Sequence, residues 1–104
     1  MVDFTFKIEN QIITRTDNER IFSGLINEVT ATFSFSPEWE SVTRYAQFHF
    51  GEIGVDVELD VNGKCDVPAE VIAETGQLIV TVWAGNLITA SGITILIEES
   101  GYTK

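Results

Sequence analysis

His49 and Cys65 are the single histidine and the single cysteine of the chain, and a thiolate–imidazole pair is the one nucleophilic constellation they could form. His49 lies in Phe48-His49-Phe50. Cys65 follows the turn pair Asn62-Gly63 and precedes Asp66-Val67-Pro68, a position that suits a small buried hydrophobe. Nothing in their spacing brings the two together. The carboxylates Asp56, Glu58 and Asp60 recur at every second residue, which on a strand sets neighbours roughly 6.5–7 Å apart along one face. A calcium ion needs several oxygens converging at about 2.3–2.6 Å, usually from a glycine-containing loop, whereas a straight strand spreads its carboxylates. These acids read as a solvated face that discourages edge-to-edge aggregation. No serine sits in a G-x-S-x-G context, no glycine-rich loop could cradle a phosphate, and H-E-x-x-H and C-x-x-C are absent. Carboxylate pairs for glycoside hydrolysis exist by residue type, but so small a domain has little room for both a core and a substrate cleft. The expectation is a chain that is not an enzyme, with no catalytic, cofactor-binding or metal-ligating residues.

Composition narrows the partners. The chain has 104 residues, with 16 acidic against 6 basic side chains and a formal charge of -10. That length predicts one domain over 1–104. The 11% aromatic content is too high for a disordered acidic chain, so a packed core is expected. The charge repels phosphate backbones and anionic lipid, which disfavours nucleic acid as a partner. From Cys65 to Thr103 there is no lysine or arginine, while Asp66, Glu70, Glu74, Glu98 and Glu99 fall there, so a partner of that region would be neutral or basic. One cysteine permits no intramolecular disulfide, which fits synthesis in a reducing cytoplasm. The N-terminus lacks a basic region followed by an apolar run, and no window approaches the roughly 18 apolar residues of a span, so neither a signal peptide nor membrane insertion is expected.

The elements that would position these residues follow a period of two. Phe4, Phe6 and Ile8 alternate with Thr5, Lys7 and Glu9. Val29, Ala31, Phe33 and Phe35 alternate with Thr30, Thr32 and Ser34, and Val55, Val57, Leu59 and Val61 with Asp56, Glu58 and Asp60. Ile93, Ile95 and Ile97 close the series. Each run reads as a half-buried strand. The spacing predicts about eight strands, near 3–9, 11–15, 26–35, 43–50, 55–61, 77–84, 86–90 and 93–99, as in a small all-β sandwich or barrel. Gly51 and Gly54 bracket a short connection that makes 43–50 and 55–61 antiparallel, and Asn62-Gly63 suits a tight hairpin. The stretch Asp66 to Glu74 carries helix formers with Pro68 placed for a first turn, and predicts one or two helical turns ending at Gly76. Ser36-Pro37-Glu38-Trp39-Glu40 reads as a turn or short 3₁₀ piece ending a strand.

Three residues stand out as candidate partner contacts: Trp39, Trp83 and Ile79. Trp39 follows Pro37-Glu38, where it is either a half-exposed anchor or, the favoured reading, a plug in the core. Leu78-Ile79-Val80-Thr81-Val82-Trp83 is apolar on both faces, the signature of a central strand or of one whose outer face meets a partner. Ile79 and Trp83 share the face opposite Leu78, Val80 and Val82. Exposed aromatics could also serve as stacking platforms for sugar rings, but two tryptophans without clustered Asn, Gln or Asp support that only weakly.

Two stretches resemble a known family. Phe35-Ser36-Pro37-Glu38-Trp39-Glu40-Ser41-Val42-Thr43-Arg44-Tyr45-Ala46-Gln47-Phe48 is similar to the F-S-x-E-W-x-x-(L/V)-T-x-x-A-x-F segment of small domains in tail-fibre and baseplate proteins of phages and prophages of Gram-positive bacteria. Gly63-Lys64-Cys65-Asp66-Val67-Pro68-Ala69-Glu70-Val71-Ile72, continuing from Gly76 to Gly85, resembles that family's C-x-V-P-x-E-V-(L/I) run and the strand after it, and Ile93 to Tyr102 resembles its last strand and tail. These motifs are mostly core and turn patterns. The resemblance implies an immunoglobulin-like antiparallel β-sandwich of about 7–8 strands with a short helical turn near 67–75. It implies a non-enzymatic structural or assembly protein of a tail, baseplate or tail-fibre base, with no cofactor, made in the bacterial cytoplasm and carried in the virion tail. Its partners would be other tail proteins and, given the two-sided apolar strand, further copies of itself. A cell-surface carbohydrate-binding module and a small prophage-encoded regulatory or inhibitory protein are the alternatives.

Overall fold

A strand that alternates apolar and polar side chains can bury only one face, so two such faces must close on each other. The computed structural model describes residues 2–23, 29–89 and 91–99; positions 26–28 of the strand expected over 26–35, position 90 and the tail at 100–104 lie outside the described residues. The strands are β1 (Val2–Glu9), β2 (Ile12–Arg15), β3 (Ile21–Phe22), β4 (Val29–Phe35), β5 (Tyr45–Phe50), β6 (Ile53–Glu58), β7 (Lys64–Asp66), β8 (Gly76–Ala84), β9 (Leu87–Ile88) and β10 (Ile93–Glu98). They form one sheet of order β2-β1-β4-β7 and a second of order β3-β10-β8-β5-β6, with β9 added to β8. The protein is the all-β sandwich that the alternation predicts. Strands β3 and β7 go beyond the expected set; at two and three residues they are too short to show a period.

The core is the sum of the inward parities. Phe4, Phe6 and Ile8 of β1, Ala31 and Phe33 of β4, Phe48 of β5, Leu78, Val80 and Val82 of β8 and Ile95 and Ile97 of β10 are all buried. Phe6 stacks on Phe33 with ring centroids 4.8 Å apart. Most strand neighbours are antiparallel, but β1 and β4 run parallel, from Val2↔Val29 to Ile8↔Phe35, as do β10 and β3. Parallel neighbours need a crossover connection. Here the chain makes the β1–β2 hairpin through Asn10 (φ 55°), crosses to the second sheet at β3, and returns to the free side of β1.

Two connections between the sheets are tightly specified. The Asn62-Gly63 pair hands the chain from β6 in the second sheet to β7 in the first, so it does not close a hairpin within one sheet. The Asp60 carboxylate accepts from the Asn62 and Lys64 N–H groups at 2.8 and 3.0 Å, and Gly63 N–H donates to Asp60 C=O at 2.9 Å. Gly63 carries the left-handed backbone (φ 75°), and a Cβ there would lie 2.3 Å from the Phe33 carbonyl oxygen. The 67–75 segment makes a single 3₁₀ turn, Ala69–Val71, with Pro68 just ahead of it; Val71 and Ile72 are buried. On the other crossing, Asp17 accepts from the Thr5 and Glu19 N–H groups, each at 2.8 Å, and from Arg15 Nη2 at 2.8 Å.

Replacing Gly63 with alanine combines a left-handed φ with a clash against backbone and is expected to lower unfolding stability by about 2–3 kcal/mol, read by denaturant midpoint. Burial pushes the Asp17 carboxyl up, but hydrogen bonds from Arg15, Thr5 and Glu19 and the Arg15 charge outweigh it and hold the group below its ordinary 3.8. A depressed carboxyl stabilises the fold at pH above the unfolded value and loses that contribution as pH falls through the folded one. Asp17→Ala should therefore cost about 2 kcal/mol at pH 7 and flatten the loss of stability below about pH 4, measured by denaturant unfolding across pH.

Candidate functional site

The two residues that could have formed a nucleophilic pair sit on different sheets. His49 is on β5 with its side chain exposed on the outer face of the second sheet, opposite Ile79 of β8. Cys65 is on β7 in the first sheet, buried against the core. Burial, reinforced by the Asp66 and Asp60 charges, pushes its thiol from 9.0 to about 12, so it is protonated at neutral pH. The three alternating acids also part company. Asp56 and Glu58 lie on β6, while Asp60 is past its end, capping the turn. No group of three or more His, Cys, Asp or Glu side chains is placed to hold a metal ion among the described residues.

Of the three candidate contacts, Trp39 is withdrawn from the surface. It is fully buried, packs against Phe35 with ring centroids 5.6 Å apart, and donates its indole N–H to Asn10 C=O. The reason is local. The 3₁₀ turn Pro37–Trp39 reverses the chain at the end of β4 and folds the indole over the open end of the core, where its polar N–H meets the β1–β2 turn. Trp39 is a core plug and has no surface to offer a partner.

Trp83 and Ile79 lie on the outer face of the second sheet, as their parity requires. Trp83 stacks on Tyr45 of β5, with centroids 4.4 Å apart and planes at 13°, and donates its Nε1–H to Asp56 Oδ1 at 3.1 Å. Its register partner on β9 is Ile88, which is 57% exposed. One indole face is covered by Tyr45. Ile79 is 39% exposed and pairs across strands with His49 and Thr94. Leu96, 60% exposed, lies diagonal to Ile79, and Phe22 on β3 is diagonal to Leu96 in turn. At this end Arg20 bonds Glu98 through Nε at 2.7 Å and lies over the Phe22 ring. The result is an apolar strip running obliquely across β3, β10 and β8.

The outer face of the first sheet differs. It presents Thr5, Lys7 and Glu9 from β1 and Thr32 and Ser34 from β4, while Thr30, of the same parity, is buried and donates its hydroxyl to Asp3 at 2.7 Å. Ile12 is its one large exposed apolar side chain among the described residues. One side of the sandwich is built for water; the other keeps isoleucine, leucine and aromatics in it. A separate shallow groove of about 310 Å³ lies between residues 41–44 and 58–61, where Val42 and Val61 are exposed.

Tyr45, Leu96, Ile88 and Phe22 belong to the outer face but were not among the residues singled out by sequence. Leu96 carried a readable signal: it is the off-parity apolar residue between Ile95 and Ile97, as Ile79 is between Leu78 and Val80. Tyr45 shares parity with Gln47 and His49 and so had to face outward with them. Phe22 and Ile88 sit on two-residue strands that leave no pattern.

No protein-family model matches the chain, and no curated protein matches it in sequence. Among solved structures it is similar to the N-terminal domain of phage TP901-1 ORF48, with 11% identity and a TM-score of 0.53, over 96% of this chain and 100% of that one. At that identity the likeness is one of fold.

A thiol held at about 12 is almost wholly protonated at pH 8, so native Cys65 should react with iodoacetamide at least about a thousandfold more slowly than the guanidinium-unfolded chain. Mass spectrometry of quenched time points reads this directly; comparable native and unfolded rates would contradict the burial.

Proposed function

We propose that this protein is a non-enzymatic structural part of a phage or prophage tail, at the level of tail, baseplate or tail-fibre base, and that it works through protein contacts made by the outer face of its second sheet. The observation that carries the reading is the apolar strip of Ile79, Leu96 and Phe22, with a second apolar patch of Ile88 and the Tyr45–Trp83 pair beyond Thr81 and Gln47, on a sandwich whose opposite face is mostly polar. Exposed contiguous apolar surface on a small soluble domain marks an interaction site. The fold shared with a phage protein domain and the resemblance of residues 35–48 and 63–85 to tail-protein segments support the virion setting. In that setting the chain is made in the bacterial cytoplasm and ends in the virion tail. Its partners are other tail proteins and further copies of itself.

Self-association must overcome the repulsion between chains of charge -10, which salt screens over a Debye length of about 8 Å at physiological ionic strength. Multi-angle light scattering at rising protein concentration is therefore expected to show oligomers that strengthen from low to high salt. Ile79→Asp with Leu96→Asp should return the protein to monomer without changing its circular dichroism, and a glycan array should show no binding. A wild-type protein that stays monomeric at high concentration and high salt would count against self-association.

A further inference from the structure

We infer that the free edge of β6 is a docking site for an extended strand of another protein, one carrying Lys or Arg at alternate positions. Strand β6 ends the second sheet and has six residues, whereas the strands at the other three sheet edges, β2, β7 and β3, have four, three and two. Short edges are a common protection against strand addition; β6 lacks it, and it contains no proline and pairs with β5 without a bulge.

The hydrogen-bond parity says which groups are available. Leu59 N–H donates to Arg44 C=O at 2.9 Å, so that pair is bonded. Bonded and non-bonded pairs alternate along an antiparallel ladder, so Val57, Val55 and Ile53 bond to β5 while Glu58, Asp56 and Gly54 turn their N–H and C=O groups away from it. The outward backbone groups therefore belong to the residues whose side chains lie on the outer face. A strand added there exchanges hydrogen bonds with Gly54, Asp56 and Glu58, and the residues opposite Asp56 and Glu58 place their side chains beside those carboxylates.

That arrangement selects the occupant. A second copy of this edge is disfavoured, because the central antiparallel registers set Asp56 against Asp56, Asp56 against Glu58, or Glu52 against Glu58. A strand with basic residues at alternate positions meets opposite charge at the same places, while the backbone ladder supplies the attraction. Asp56 keeps its bond to Trp83 through one oxygen and has a second free for a cation. This site is distinct from the apolar strip and holds whether or not the protein belongs to a virion.

The test uses the full ¹⁵N-labelled chain and a decapeptide alternating lysine with threonine. The expected result is shift changes and slowed amide exchange concentrated at Gly54, Asp56 and Glu58, with binding at least about fivefold tighter than for the same peptide with glutamate in place of lysine. Methylating alternate backbone nitrogens of the lysine peptide keeps its charge and removes its ladder, and should abolish the effect. Glu58→Lys should reverse the preference between the two peptides. The inference is overturned if the methylated peptide binds equally, if the shifts spread over the acidic surface without centring on β6, or if no binding is seen at millimolar peptide.

Discussion

What the second sheet shows on its outer face is set by the two-residue period of its central strand. Leu78, Val80, Val82 and Ala84 of β8 must face the core, because they meet Phe48 and Ala46 of β5 on one side and Ile95 of β10 on the other. Pleat geometry then leaves Ile79, Thr81 and Trp83 no choice but to face outward. A slip of one residue would move four buried side chains into water, a change of roughly 1.5–3 kcal/mol for each large aliphatic one, so the register is firmly held. The display of an apolar outer face is thus a consequence of the core.

The chain's charge acts on that surface in two ways. A formal charge of -10 keeps copies apart at long range, so the proposed self-contact through the apolar strip would depend on screening. At β6 it acts locally, where carboxylates at residues 56 and 58 oppose like edges. The basic side chain beside the strip, Arg20, is already engaged with Glu98. The outer face of the second sheet therefore offers two apolar patches on either side of Thr81 and Gln47, with acid along its β6 side.

Much of the architecture was legible because long strands carry a period. β1, β5, β8 and β10 fall within a residue or two of their expected limits, and β4 ends at Phe35 as expected, with positions 26–28 outside the described residues. The misses have physical causes. The parallel pairing of β1 with β4 is a matter of topology, on which side-chain alternation is silent. The Asn62-Gly63 turn was readable as a turn but not as a passage between sheets, because the strand that follows it, β7, pairs with β4 and not with β6. At the candidate site, Ile79 and Trp83 were legible from parity, whereas the fate of Trp39 depended on where a 3₁₀ turn aims one side chain. The outward position of Tyr45 followed from parity, but its stacking on Trp83 required knowing that β5 and β8 are neighbours.

Asp56 ties the edge of the sheet to its outer face. Its carboxylate holds the Trp83 indole, which stacks on Tyr45, while its backbone N–H and C=O point to the free edge. A cation brought beside Asp56 by an added strand meets the second carboxylate oxygen, while the first still accepts from the Trp83 indole N–H. A partner packed over Tyr45 and Trp83 would shield the Asp56 contact from water. The edge and the outer face share this one side chain, so whatever change an occupant of one made in the affinity of the other would be returned by the same factor.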